Sequence, residues 1–128
     1  MNVRGIFSKE TDHWSTPEDL RAKLYGEFSL DYDPCPLFCE TDALGLDWSG
    51  KRVFCNPPYS NIPAFLAKRK EPGIAVYLLP SRTGTKWFHE VVLPEAREIR
   101  FLRGRLRFGG SKGSAPFDSL IVVFERTK

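Results

Sequence analysis

Apolar blocks recur along the chain with two different periods, and they predict a succession of strands and helices. Apolar residues at every second position, or in an unbroken short run, are typical of a strand, whereas apolar residues three or four positions apart are typical of a helix. Strands are predicted at Phe28–Asp33, Arg52–Cys55, Ile74–Leu79 and Leu120–Phe124. Two further blocks, Glu98–Leu102 and Arg105–Phe108, are predicted to form a hairpin around Arg103-Gly104.

Three helices are predicted between these strands. They run from Thr16 to Gly26, from Ser60 to Lys70 and from Thr85 to about Val92. Thr16 can cap the first helix with Pro17 at its first position, and Gly26 indicates its end. Ser60 and Asn61 can cap the second helix in the same way.

The alternation of strands and helices favours an α/β fold. We expect a three-layer architecture with a mostly parallel sheet and a C-terminal antiparallel hairpin. Ligands of such sheets bind at the carboxyl ends of the strands. The loops after Asp33, Cys55 and Leu79 are therefore the predicted location of a site.

Length and composition narrow the class of protein. The chain has 128 residues, 41% hydrophobic and 27% charged, which predicts one domain over residues 1–128, in which residues 1–12 can be flexible. No apolar run approaches the ~20 residues of a membrane span, and Met1–Glu10 lacks the apolar stretch of a secretory signal. Three cysteines and no signal predict reduced thiols and a cytoplasmic protein with no membrane partner.

Charge is unevenly distributed along the chain. Residues 1–50 hold ten acidic and four basic side chains, whereas residues 51–128 hold six acidic and fifteen basic ones. No acidic residue occurs from Ile99 to Phe117. This asymmetry predicts a basic face for a polyanion such as nucleic acid, although a solvated basic surface explains the charge alone equally well.

The segment Asn56-Pro57-Pro58-Tyr59 follows the predicted strand Arg52–Cys55 and is the candidate functional motif of the chain. Each proline holds the residue before it in an extended conformation, which makes the loop stiff. The side-chain oxygen of Asn56 and the carbonyl of Pro57 are then fixed hydrogen-bond acceptors beside the Tyr59 ring. Two acceptors and an aromatic ring suit a planar group that bears an NH₂, such as adenine or cytosine.

This segment resembles the catalytic motif of S-adenosylmethionine-dependent amino methyltransferases. The wider sequence is similar to the phage-type (Dam-like) DNA N6-adenine methyltransferases over about residues 13–125. The matching segments are His13–Pro17, Leu30–Pro36, Asp47–Gly50, Asn56–Tyr59, Leu79–Thr83, Trp87–His89, Ile99–Gly109 and Ala115–Phe117.

The resemblance implies a compact, Rossmann-like methyltransferase fold. It also implies that S-adenosylmethionine donates its methyl group directly to the amino nitrogen of a flipped base, without a metal. It implies that Asn56, Pro57, Pro58 and Tyr59 are catalytic, with Tyr59 stacking on the base. For the donor it implies contacts from Trp14, Thr16, Pro17, Asp33, Pro34 and Asp47, of which Asp33 would meet the ammonium group and Asp47 the adenine. For Trp14, an equally good alternative to a donor contact is a structural role that anchors the amino-terminal segment.

Double-stranded DNA is the expected partner. Phosphate contacts are predicted for Arg82, Lys86, Arg103, Arg105, Arg107 and Lys112, and Arg105 or Arg107 could instead recognise guanine. The sequence leaves open whether the protein is a monomer or a homodimer and which target sequence it prefers. It predicts a bacterial or phage-infected cell as the setting, with a role in protection from restriction.

Three alternatives remain on sequence grounds. The same two acceptors fit N4-cytosine transfer, and similar loops serve the methylation of glutamine in proteins by much longer enzymes. A non-catalytic DNA-binding relative is the third. A metal site is not expected, because the cysteines with His13 and His89 match no standard ligand spacing.

Overall fold

One four-stranded sheet forms the centre of the structure, a computed structural model that describes residues 15–35, 41–106 and 117–126. Its strands are β1 (Arg52–Cys55), β2 (Ile74–Pro80), β3 (Glu98–Phe101) and β4 (Ser119–Glu125). The α-helices are α1 (Glu18–Phe28), α2 (Ile62–Leu66) and α3 (Leu93–Glu95). Two 3₁₀ turns (Thr41–Gly45 and Tyr59–Asn61) and one π-helical turn (Phe88–Val92) complete the helical elements of the described residues.

The strands lie in the order β1-β2-β4-β3, and the sheet is mixed. Only β1 and β2 are parallel neighbours; β4 runs antiparallel to both β2 and β3. The expectation of a mostly parallel sheet is therefore wrong. The physical reason is that β4 begins at the edge of the sheet where β3 ends. It therefore runs antiparallel to β3, and also to β2, which has the same direction as β3.

Because β4 lies between β2 and β3, the strands β1, β2 and β3 all point in one direction. The last residues of these strands, Cys55, Pro80 and Phe101, lie at one edge of the sheet together with Ser119, the first residue of β4. We call this the carboxyl edge. A ligand site at strand ends therefore remains available in the mixed sheet.

Helical segments cover both faces of the sheet, as expected for three layers. On one face, Leu24 and Phe28 of α1 pack against Val76 and other residues of β2 and β4. On the other face, Phe65 of α2 and Phe88 of the π-helical turn pack against the opposite set of strand side chains. Each large apolar side chain that is fully buried in this way contributes roughly 1.5–3 kcal/mol.

The helix α1 begins and ends two residues later than predicted, and the strand Phe28–Asp33 is not formed. Leu24 and Phe28 lie one turn apart on the buried face, and this burial outweighs the cost of about 1 kcal/mol for Gly26 within a helix. The helix ends at Ser29, which has the left-handed φ of 52° and donates its N–H to the carbonyl of Tyr25. Only Tyr32 of the predicted strand pairs with β1, through a parallel bridge to Val53.

The predicted helix over residues 60–70 is shorter in the structure. It consists of the turn Tyr59–Asn61 and α2, and hydrogen-bonded turns continue to residue 71. Ile62, Phe65 and Leu66 form the buried face of α2. Asn61 is the residue before α2, but its side chain makes no capping hydrogen bond.

The helical segment over residues 86–95 continues through Pro94, which was expected to lie beyond it. In the π-helical turn, Leu93 donates its N–H to the carbonyl of Phe88, five residues earlier. This wider turn accommodates a proline that a regular α-helix would exclude.

The predicted hairpin of Glu98–Leu102 with Arg105–Phe108 is not formed by the residues that the structure describes. The strand β3 pairs with β4: Ile99 lies opposite Val122 and Phe101 opposite Leu120. Arg105 and Leu106 are not in a strand, and Phe108 lies outside the described residues. The strand β4 is buried except at Glu125, so this pairing gives β3 a buried apolar neighbour.

The cysteines only partly follow expectation. Cys55 is a buried free thiol in β1, whereas Cys35 is disulfide-bonded, which corrects the prediction of reduced thiols for that residue. An odd count of three cysteines is compatible with one bond and one free thiol.

None of the helices in the described ranges has both the length and the apolar character needed to span a membrane.

Candidate active site

The loop Asn56-Pro57-Pro58-Tyr59 leaves the carboxyl edge directly after β1, as predicted. All four residues are buried, with Asn56 only 1% and Tyr59 9% exposed. Pro58 has an extended backbone (φ −64°, ψ 134°), and Tyr59 begins the following 3₁₀ turn. The two prolines thus hold a polar amide and an aromatic ring at a fixed position next to the sheet.

The side chain of Asn56 is held by Thr16, a residue 40 positions earlier. The amide Nδ2 donates a hydrogen bond to Oγ1 of Thr16 at 3.1 Å. Thr16 was expected to cap α1, but Pro17 occupies the capping position and no side-chain capping bond is made there. The hydroxyl oxygen of Thr16 therefore bonds to the Asn56–Tyr59 loop and not to the helix end.

The ring of Tyr59 lies between a cation and a second aromatic ring. The guanidinium carbon of Arg82 is 5.6 Å from the centroid of the Tyr59 ring, and Phe117 meets that ring edge-on at a centroid distance of 5.2 Å. The Tyr59 hydroxyl is buried and makes no hydrogen bond within the described part of the chain. Burial raises the pKa of Tyr59 well above its usual range, so the hydroxyl stays protonated.

Asp33 lies beside the end of β1, where the sequence predicted a donor-binding acid. Its side chain is 8% exposed; one carboxylate oxygen accepts the N–H of Cys35 at 2.8 Å and the other lies 3.5 Å from Arg21. Burial raises the pKa of Asp33, while the Cys35 N–H and the Arg21 charge act in the opposite direction. The charge of Asp33 also contributes, after burial, to a raised pKa of the Cys55 thiol, which places Asp33 next to the last residue of β1.

Arg21 is a residue of this region that sequence reasoning missed. Its guanidinium lies over the Tyr25 ring at 4.3 Å and donates to the Tyr25 hydroxyl at 3.0 Å. The spacing of four residues on one helix was the available signal. The pair of Arg21 and Asp33 puts one positive and one negative charge beside the end of β1.

The remaining predicted donor-binding residues are divided between two places. Pro17 is half-buried before α1, and Pro34 is buried next to Asp33. Asp47 is exposed and precedes β1, so the structure puts it at the end of that strand opposite to Asn56. The N–H of Ser49 lowers the pKa of Asp47. Trp14 lies outside the described residues.

Four of the predicted DNA-binding residues are exposed around the carboxyl edge. Arg82 follows β2, Lys86 begins the helical segment after it, and Arg103 and Arg105 follow β3. Arg105 lies 3.8 Å from Asp118, in a surface ion pair. The other two predicted cations, Arg107 and Lys112, lie outside the described residues. Within the described ranges, no group of three or more His, Cys, Asp or Glu side chains could hold a metal ion.

Comparison with known proteins agrees with the motif. The family model of DNA N-6-adenine-methyltransferase (Dam) matches residues 5–127. A DNA N-6-adenine-methyltransferase of Haemophilus phage HP1 is 27% identical over 98% of this chain and 85% of its own length. One of Escherichia phage T1 is 36% identical over 62% of this chain, but over 40% of its own length. No solved structure matches. The chain therefore belongs to the DNA N-6-adenine-methyltransferase (Dam) family.

Proposed function

We propose that this chain transfers the methyl group of S-adenosylmethionine to the N6 amino group of adenine in double-stranded DNA, with the Asn56–Tyr59 loop as its catalytic element. Family membership gives the reaction class, adenine-N6 methylation of DNA. The observation that carries the assignment of residues is the buried, proline-braced loop at the carboxyl edge, in which the amide of Asn56 is held by Thr16.

The chemical difficulty lies in the amino group of adenine, whose lone pair is delocalised into the ring. We expect Oδ1 of Asn56 and the carbonyl of Pro57 to accept hydrogen bonds from its two N–H groups. These bonds strengthen as positive charge develops on the nitrogen, so they stabilise the transition state more than the bound substrate. The burial of Asn56 and Pro57 keeps water away and strengthens both bonds.

The residues next to the end of β1 fit the donor. When bound, S-adenosylmethionine supplies the methyl group together with a sulfonium leaving group. Asp33 is an acid whose burial is incompletely compensated, as its raised pKa indicates. An ammonium group would relieve that cost, and Arg21 beside it offers the opposite charge for a carboxylate. Pro17, Pro34, Thr16 and Trp14 are proposed to complete the methionine side of this site.

The ring of Tyr59 is proposed to stack on the extruded base and to replace part of the stacking lost from the duplex. In the structure the Arg82 guanidinium lies near that ring. A stacked base and this guanidinium both require a face of Tyr59. We therefore expect Arg82 to contact a DNA phosphate once the base has entered.

The exposed cations at the carboxyl edge are proposed to bind phosphates. Arg82 follows β2, and Arg103 and Arg105 follow β3, so these cations lie at the same edge of the sheet as the loop that carries Asn56. The proposed setting is the cytoplasm of a bacterial or phage-infected cell. We propose that the sheet and its two helical layers are a compact variant of the Rossmann-like methyltransferase architecture.

The test is direct. The protein is incubated with S-adenosylmethionine and double-stranded DNA of mixed sequence, the DNA is digested to nucleosides, and methylated bases are identified by mass spectrometry. We expect N6-methyladenine, and none with the Asn56→Ala variant. N4-methylcytosine would retain the loop chemistry and correct the base. The absence of any methylated base, with folded protein that binds the donor by calorimetry, would refute the proposal and favour a non-catalytic DNA-binding role.

A further inference from the structure

The hydrogen bond between Asn56 and Thr16 joins two distant parts of the chain at the centre of the site. Asn56 follows β1, whereas Thr16 precedes α1, and their side chains meet at 3.1 Å. Both residues are at least partly shielded from solvent: Asn56 is buried and Thr16 is half-buried. Thr16 has no capping bond to α1 that would explain a polar side chain at this position.

An asparagine amide needs such a partner if it is to act at a defined angle. The two prolines fix the backbone of the loop, but rotation about the last side-chain bond of Asn56 is intrinsically broad and nearly two-fold. The two ends of the amide have similar shapes and opposite hydrogen-bonding character. With Nδ2 on Thr16, the opposite end of the amide is the acceptor Oδ1, which is the atom that an amino group requires.

We propose that Thr16 is a positioning residue for Asn56: its hydroxyl oxygen sets the orientation of the Asn56 amide, so that Oδ1 faces the amino group of the target base. This inference rests on the proposed function, since it concerns the same reaction. It assigns to Thr16 an effect on turnover that is separate from any contact with the donor. Small errors in the placement of a catalytic group cost large factors in rate.

Three variants separate the possible roles of Thr16. Thr16→Val keeps the shape of the side chain and removes the hydroxyl, whereas Thr16→Ser keeps the hydroxyl and removes the methyl group. Thr83→Val is the matched control, because Thr83 is exposed and outside the loop. Methylation is measured at saturating donor and DNA, and donor affinity is measured by calorimetry on the same preparations, below the melting temperature of each variant.

We expect kcat of Thr16→Val, measured at saturating donor, to fall at least about tenfold, a loss that a weaker contact between Thr16 and the donor would not cause by itself. Thr16→Ser should stay within about threefold of the wild type, and Thr83→Val should be indistinguishable from it. The proposal is overturned if Thr16→Val keeps the wild-type kcat and loses only donor affinity, or if Thr16→Ser is as slow as Thr16→Val. A wild-type protein that methylates no DNA would instead refute the proposed function.

A second measurement requires no turnover and covers the case in which Thr16→Val fails to fold. In the wild-type protein and in Thr16→Ser, the side-chain amide protons of Asn56 should exchange with solvent more slowly than those of Asn61, which makes no capping bond. Equal exchange of the two amides in the folded wild-type protein would contradict the hydrogen bond on which the inference depends.

Discussion

Replacement of Asn56 by alanine has two consequences of different size, one for turnover and one for stability. The variant loses the acceptor Oδ1 that we assign to the amino group of the base. Loss of one preorganised hydrogen-bonding group at a reacting atom costs about 100- to 1,000-fold in kcat, or about 3–4 kcal/mol. We therefore expect turnover to fall by at least two orders of magnitude.

The effect on stability follows from the burial of the same side chain. Asn56 is 1% exposed and makes a 3.1 Å hydrogen bond, so that its removal leaves the Thr16 hydroxyl without this donor. Such a loss costs about 1–2 kcal/mol. For a chain of this length, that corresponds to a melting temperature about 4–7 °C lower. The variant should remain folded at ordinary assay temperatures.

The assay compares single-turnover methylation of DNA with calorimetric binding of the donor. Asn56→Ala should lose the rate and keep a donor Kd within about threefold of the wild type, because Oδ1 is assigned to the base and not to the donor. Asn61→Ala is the control, since this half-buried asparagine makes no capping bond. A variant that keeps its rate at saturating donor and loses only donor affinity would refute the catalytic assignment.

Three further predictions concern DNA binding, packing and pH. Arg103→Ala should reduce the slope of log affinity for DNA against log salt concentration by about one, as measured by fluorescence anisotropy. Lys70→Ala is the control and should leave the slope unchanged, because Lys70 is an exposed cation at the other end of the molecule. Tyr77→Phe should lose about 1–3 kcal/mol of unfolding free energy in denaturant titration, because the Tyr77 hydroxyl donates to the buried carbonyl of Phe65 at 2.7 Å; an unchanged midpoint would contradict this. Burial raises the pKa of Asp33 in the folded protein above its value in the unfolded chain. Ionisation of Asp33 therefore lowers the free energy of unfolding as the pH rises from the unfolded-state pKa through the folded-state pKa. Asp33→Asn should therefore melt higher than the wild type at pH 7, and the difference should shrink toward pH 4; a difference that grows on acidification would reverse the assigned sign.

The parts of the fold that the sequence predicted well are those with strong local patterns. The apolar run that became β2 and the segment Arg52–Cys55 are strands as expected, since buried strands carry their signal in consecutive residues. The prediction of a strand at Phe28–Asp33 was wrong. Its apolar residues Phe28 and Leu30 are both buried, but Phe28 belongs to the last turn of α1 and Leu30 follows the end of that helix. A short pattern of this kind does not distinguish the two conformations.

Strand pairing was less predictable than strand location. The strand β3 could pair with the nearby residues 105–108 or with β4, and local alternation favours both. In the structure β3 pairs with β4, which is apolar and buried over most of its length. That choice depends on residues about twenty positions away, which no local pattern contains.

The site follows the same division. Asn56 and Tyr59 were predicted because the motif itself defines the loop, and Asp33 lies near β1 as expected. The roles of Thr16 and Arg21 were not evident, since each depends on a contact across at least ten residues of sequence. Asp47 precedes β1 in the structure as it does in the sequence, and its contact with the donor's adenine stays a prediction.

The return of the chain at the carboxyl edge has a consequence for how such proteins can diversify. Phe101 and Leu120 are paired across β3 and β4, so the two ends of the intervening segment are held about 5 Å apart. A loop whose ends are already adjacent can change in length at a cost that rises only with the logarithm of its length. Insertions, deletions or exchanged sequences there leave the register of the sheet unchanged. The segment between β3 and β4 can thus change, in evolution or by design, while the core of the protein keeps its structure.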